Sequence, residues 1–167
     1  MGQFKNYYGY IENEAASLVS DFRDEMIEEV EQGNTELYEF FDDHVHYWVD
    51  SDMGGCDLID HAEILEQSED VESDWGLWDG LKEPRKAIET QAFFTYRGDL
   101  MRAVLELAKD FLKDLEEKYE QEIGKLQEEL DELDITDETT EEQYEDTQDK
   151  IAEVEEKLTN IREAIES

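Results

Sequence analysis

Between Phe40 and Asp52 the chain reads FFDDHVHYWVDSD, a density of histidines and carboxylates that could hold a metal ion. On a β-strand, His44 and His46 would project from the same side, and a zinc site would be worth pursuing. The apolar spacing instead predicts a helix, with Leu37, Phe41, His44, Val45 and Trp48 as its inner stripe. His46 then falls on the opposite face with Asp42 and Asp50. At about 100° per residue the two imidazoles stand roughly 200° apart and share no metal.

Other candidate groups are no more distinctive. Asp57 and His61, spaced i and i+4, form a common helix-surface pair. Asp70, Glu72 and Asp74 start like a calcium loop, but Trp75 stands where glycine is needed and Leu81 where the closing glutamate belongs. Cys56 sits among acids, which raise a thiol's pKa and argue against a nucleophile. There is no glycine-rich phosphate loop and no serine elbow. Paired carboxylates occur throughout, so none marks a site. The sequence therefore assigns no catalytic residue, cofactor site or metal site, and it reads as a binding protein and not an enzyme.

The outlier is charge. Fifty Asp and Glu face fourteen Lys and Arg, for a formal net charge of −36 over 167 residues. Three Trp, eight Tyr and seven Phe supply material for a core, which acidic disordered chains lack. One cysteine fits a reducing cytoplasm. The N-terminal MGQFKNYYGY has no basic segment followed by an apolar one, so no leader is expected.

Helix signals run the length of the chain, and only one proline interrupts them. Ile11, Ala15, Leu18, Phe22, Met26 and Val30 predict a first helix ending near Gly33. Asn34 or Thr35 can cap the second, which Gly54 and Gly55 break. Asp57 can cap a short third helix with Leu58, Ala62 and Leu65 inward. Residues 71–83 read as a loop whose Trp75, Leu77 and Trp78 can plug the core. Pro84 suits a first helical turn. From it an apolar ladder passes through Ile88, Ala92, Tyr96, Leu100, Val104, Leu107, Phe111, Leu115 and Tyr119 towards Leu133, predicting one helix of about fifty residues.

The last part carries heptad spacing. Leu126, Leu130 and Leu133 on one side and Ile151, Val154, Leu158 and Ile161 on the other form a seam. Asp134 to Thr140 is short and polar, and Thr140 with Gln143 offers a capping box. The expectation is an all-α protein. Residues 1–114 form an acidic helical body with one long central helix, and residues 115–167 continue that helix into an antiparallel coiled-coil hairpin. Its segments are short, so the hairpin is expected to lean on the main body or on a second copy through this self-association seam, and a homodimer is the expectation.

The acids are unevenly spread. Residues 1–81 hold 23 acids and two bases, residues 82–114 are nearly balanced, and residues 115–167 hold 21 acids and five bases. A coiled coil normally pairs Glu with Lys across its flanks, and here the bases are too few. Halophilic adaptation would favour arginine, whereas Lys outnumbers Arg nine to five. Carboxylates on adjacent helix turns lie about 5–6 Å apart, near the spacing of successive phosphates on a nucleic-acid strand. Asp21, Asp24, Glu25, Glu28 and Glu29 form one such row, and Glu128, Asp131 and Glu132 another. Asp42, Asp43, Asp50 and Asp52 add a third group. The charge thus points to an imitation of DNA that occupies a partner's basic DNA-binding groove, without binding nucleic acid or a membrane itself.

The layout of residues 37–108 resembles the Ocr-type anti-restriction proteins of T7-like phages. An acidic helix (LYEFFDDHVHYWVD), a short helix (DLIDHAEILE), a segment with DWGLWDG and a helix with an aromatic start (TQAFFTYRGDL) follow in that order. The resemblance implies a dimeric all-helical DNA mimic that blocks a host defence nuclease. Together with the charge, it leads to the expectation of a phage- or mobile-element-encoded inhibitor of a restriction enzyme or CRISPR effector in the host cytoplasm. The alternative is a non-enzymatic acidic adaptor assembling through its hairpin.

Overall fold

Helix α1 (Tyr7–Glu31) forms where Ile11, Ala15, Leu18, Met26 and Val30 repeat every three or four residues, and all five are buried. It stops at Gly33, whose φ of 103° suits a residue without a Cβ. The Asn34 amide donates to the Glu29 carbonyl and the Gly33 amide to that of Val30, at 2.9 and 3.0 Å. These two bonds make a Schellman stop. In the computed structural model, residues 3–68, 84–133 and 138–167 are described. Among them four further helices follow: α2 (Leu37–Met53), α3 (Leu58–Gln67), α4 (Pro84–Glu132) and α5 (Glu138–Glu166), with no strand. The protein is all-α, with a 49-residue central helix. No helix among the described residues is long and apolar enough to cross a membrane.

Helix α2 ends before Gly54 and Gly55, as its sequence predicts. Its buried stripe is Leu37, Phe41, Val45, Val49 and Met53, while His44 and Trp48 are half-buried at its margin. Asn34 and Thr35 both lie ahead of the cap position, and the Asn34 side chain donates to Glu29 at 2.6 Å instead. Helix α3 opens on a complete capping box. The Asp57 carboxylate accepts from the Asp60 amide at 3.0 Å, and the Asp60 carboxylate accepts from the Asp57 amide at 3.1 Å. Its inward face is His61, Ile64 and Leu65, about one position away from the expected Leu58, Ala62 and Leu65. His61 is therefore buried and not on the helix surface.

The chain divides into two units, Met1–Phe22 with Tyr38–Leu107, and Arg23–Leu37 with Ala108–Ser167. Both α1 and α4 contribute to each. In the first unit Phe4 packs edge to face on Tyr10 and Tyr96, which meet each other the same way, and lies tilted against Tyr7, with centroids 5.0 to 6.3 Å apart. Leu18, Phe41, Val45, Ile64, Leu100 and Val104 complete its core.

In the second unit α4 and α5 run antiparallel. Lys109 donates to the Ser167 carbonyl at one end, and Arg162 pairs with Glu116 and Glu120 further along. Val154, Leu158, Ile161 and Ala164 of α5 are buried, as are Ala108 and Leu112 of α4. Leu115, Tyr119, Ile123, Leu126 and Leu130 continue the seam half-buried. The last turns of α1 join this unit. Tyr119 donates to the Glu31 carboxylate, and the Asn160 amide to the Glu31 carbonyl. The apolar ladder differs from expectation at Phe111, which is 37% exposed because the inner positions are Ala108 and Leu112. The Arg23 guanidinium covers the Phe111 ring at 5.7 Å. Helix α5 begins at Glu138, so Thr140 lies within it and is not its cap. The expectations for Trp75, Leu77 and Trp78 and for the calcium-like Asp70–Leu81 run lie outside the described residues.

Candidate acidic interface

The sequence-predicted acids fall into two kinds. Asp21, Asp24, Glu25 and Glu28 are exposed along α1. The period of 3.6 residues places Asp21, Glu25 and Glu28 one above another on successive turns. Asp24 lies 3.5 Å from its neighbour Arg23, with 93% of its side chain exposed. Glu29 is half-buried and accepts from Asn34. Glu128, Asp131 and Glu132 are exposed at the end of α4, and among the described residues no base pairs with them. Asp43 and Asp50 are exposed on α2.

Asp42 and Asp52 do other work. Asp42 is engaged by Arg97 of α4. Asp52 accepts from the Tyr10 hydroxyl at 2.6 Å and the Tyr96 hydroxyl at 2.7 Å, on the same oxygen. A third carboxylate, Asp99, was not anticipated. It is 5% exposed and takes the Tyr7 hydroxyl at 2.6 Å and the Ser68 hydroxyl at 2.7 Å. Arg102 lies 3.6 Å from its other oxygen. Eight tyrosines in an acid-rich chain were the available signal, because a buried phenol hydroxyl needs an acceptor. Burial, and hydrogen bonding to these carboxylates, raise the Tyr7, Tyr10 and Tyr96 pKa values above the ordinary tyrosine value.

The histidines do not converge. His44 stacks on Phe22 of α1 with centroids 3.9 Å apart, whereas His46 packs against Phe93 of α4 at 5.4 Å. His46 therefore belongs to an aromatic contact and not to a purely acidic face. No group of three or more His, Cys, Asp or Glu among the described residues could hold a metal ion. Burial pushes the Cys56 thiol up to about 11, helped by the charges of Asp60, Asp52 and Asp57. A thiol so placed is a weak nucleophile at neutral pH.

The proposed self-association residues are placed within the chain's own packing. Val154, Leu158 and Ile161 are buried, and Leu126, Leu130, Leu133 and Ile151 are half-buried.

At the helix C-termini the acids oppose helix energetics. The C-terminal end of a helix carries a partial negative charge and favours Lys or Arg. None of the five helices has a base in its last turn. Instead α1 ends on Glu28, Glu29 and Glu31, α4 on Glu129, Asp131 and Glu132, and α5 on Glu163 and Glu166. Each such placement opposes the helix dipole. No protein-family model, curated protein or solved structure matches the chain.

Proposed function

We propose that this protein is a DNA mimic, a non-enzymatic inhibitor that occupies the DNA-binding groove of a host defence complex such as a restriction enzyme or CRISPR effector. One observation carries the reading. Exposed carboxylates run in rows along helices and reach helix C-termini at Glu28, Glu129, Asp131, Glu132, Glu163 and Glu166, where they oppose the dipole and, among the described residues, no last turn holds a base. A solvated helix face needs only mixed charges of both signs, and a coiled coil is better served by Glu–Lys pairs. Repulsion retained at a cost in stability fits a surface selected for its field. Duplex DNA presents about one charge per 1.7 Å of axis, and a basic groove built for it gains the same steering and counterion release from a row of carboxylates. The adaptor alternative relies on a hairpin seam open to partners, and Val154, Leu158 and Ile161 are buried in this chain.

The test is inhibition of DNA cleavage by purified restriction and CRISPR effector complexes. The wild-type chain should inhibit at least one of them. Simultaneous replacement of Asp21, Asp24, Glu25, Glu28 and Glu29 by their amides should weaken inhibition far more than any single replacement. A row variant that inhibits as well as wild type would remove α1 from the interface.

A further inference from the structure

A cleft of about 540 Å³ opens between α1 and α2 in the first unit, lined by Glu14, Asp21, Phe22, His44, Tyr47, Trp48, Ser51 and Asp52. Its volume lies within the range of small-ligand sites, about 300–1,000 Å³. Its walls combine two chemistries. Trp48 and Tyr47 supply aromatic surface, with Tyr47 69% exposed although it is large and half apolar. Glu14, Asp21 and Asp52 supply negative charge, and among the described residues neither Lys nor Arg lines the cleft.

Two of the carboxylates are fixed in place by bonds that use one oxygen each. The Trp48 indole N–H donates to Glu14 Oε2 at 2.7 Å. The Tyr10 and Tyr96 hydroxyls both donate to Asp52 Oδ2. Among the described residues no hydrogen bond reaches the second oxygen of either group. Oriented, half-used carboxylates beside aromatic faces match a planar cation that donates several N–H bonds and stacks. A phosphate or other anion is repelled by the same walls.

We infer that this cleft is a guanidinium site, which receives an arginine side chain of the partner. It rests on the proposed function only for the owner of that arginine. DNA-binding grooves are rich in arginine, so the cleft would add one directional anchor to an otherwise diffuse field. Cation–π contact and paired carboxylates favour guanidinium over ammonium here, because a planar fork can stack on Trp48 while bonding sideways.

The probe is Nα-acetyl-arginine amide, titrated against the full chain while the Trp48 indole N–H resonance is followed by NMR. Trp48→Phe identifies that resonance. The site predicts a saturable shift in the millimolar range, a weaker response to the lysine analogue and none to the uncharged citrulline analogue. Tyr47→Ala removes an exposed ring, and Glu14→Gln keeps an acceptor for the indole. Each should weaken binding by roughly 3- to 10-fold with the melting temperature little changed. A shift that does not saturate, that citrulline reproduces or that both variants leave intact overturns the site. Arginine-amide binding by a chain that inhibits no DNA-binding complex would uphold the cleft and discard the mimicry. Inhibition without arginine-amide binding would do the reverse.

Discussion

The Asp52 carboxylate accepts a hydrogen bond from the Tyr96 hydroxyl at 2.7 Å, on the same oxygen that serves Tyr10. The bond ties the end of α2 to α4 and separates Asp52 in role from Asp50, two residues earlier and exposed. Asp52→Ala leaves two partly buried hydroxyls without an acceptor, at a cost of about 1–3 kcal/mol. Asp50→Asn should change stability by less than about 0.5 kcal/mol. Chemical denaturation of both variants checks this, and equal losses would mean that Asp52 is as free as Asp50.

The raised tyrosine pKa values set a pH dependence. Below pH 10 the phenols are protonated in the folded and unfolded chain alike. Above it the unfolded chain ionises first, while Tyr7, Tyr10 and Tyr96 stay protonated in the fold. Their contribution is therefore present below pH 10 and is lost as the pH rises past it. Melting temperature should fall in that alkaline range, and Tyr96→Phe should flatten the fall while lowering stability at neutral pH. A wild-type curve level up to pH 11 would contradict the account.

Self-repulsion should show as salt dependence. A chain of net charge −36, with few ion pairs among its described residues, should melt higher as salt is raised from roughly 20 to 300 mM, because screening shortens the reach of the repulsion. Glu132→Lys and Glu28→Lys should each stabilise by about 0.3–1 kcal/mol at low salt, since they reverse an unfavourable dipole contact. A melting temperature indifferent to salt would mean that the acids are compensated.

Burial grades the hairpin seam. Leu158→Asp places a charge at a position 5% exposed and should cost about 3 kcal/mol or more, whereas Leu130→Asp, half-buried, should cost less. Equal effects would place the seam elsewhere.

Alkylation of Cys56 reads its surroundings directly. With the thiol at about 11 against an ordinary 9.0, its thiolate fraction near pH 8 is roughly 100-fold lower, and iodoacetamide should react correspondingly slowly. A rate like that of a free thiol would show the site to be open.

Helix spacing was legible in the sequence because it is local. The Gly33 stop, the Asp57 cap and the unbroken run of α4 each depend on residues a few positions apart. Which flank of a helix meets which neighbour was not legible. His46 looked solvent-facing until Phe93 arrived from α4, and Phe111 looked inward although Ala108 and Leu112 take the inner positions. Asp52 and Asp99 were indistinguishable from other acids, because their tyrosine partners lie 42 to 92 residues away in sequence. The rows on α1 and at the end of α4 were legible, since exposure follows from the helical period once the apolar stripe is fixed.

The most direct test of DNA mimicry is affinity for an inhibited DNA-binding complex across a salt series, measured with and without duplex DNA. Imitated phosphates predict that affinity falls steeply and log-linearly between roughly 50 and 500 mM salt, as it does for DNA, and that duplex and protein exclude each other. A complex that ignores salt and forms in saturating duplex would contradict the account.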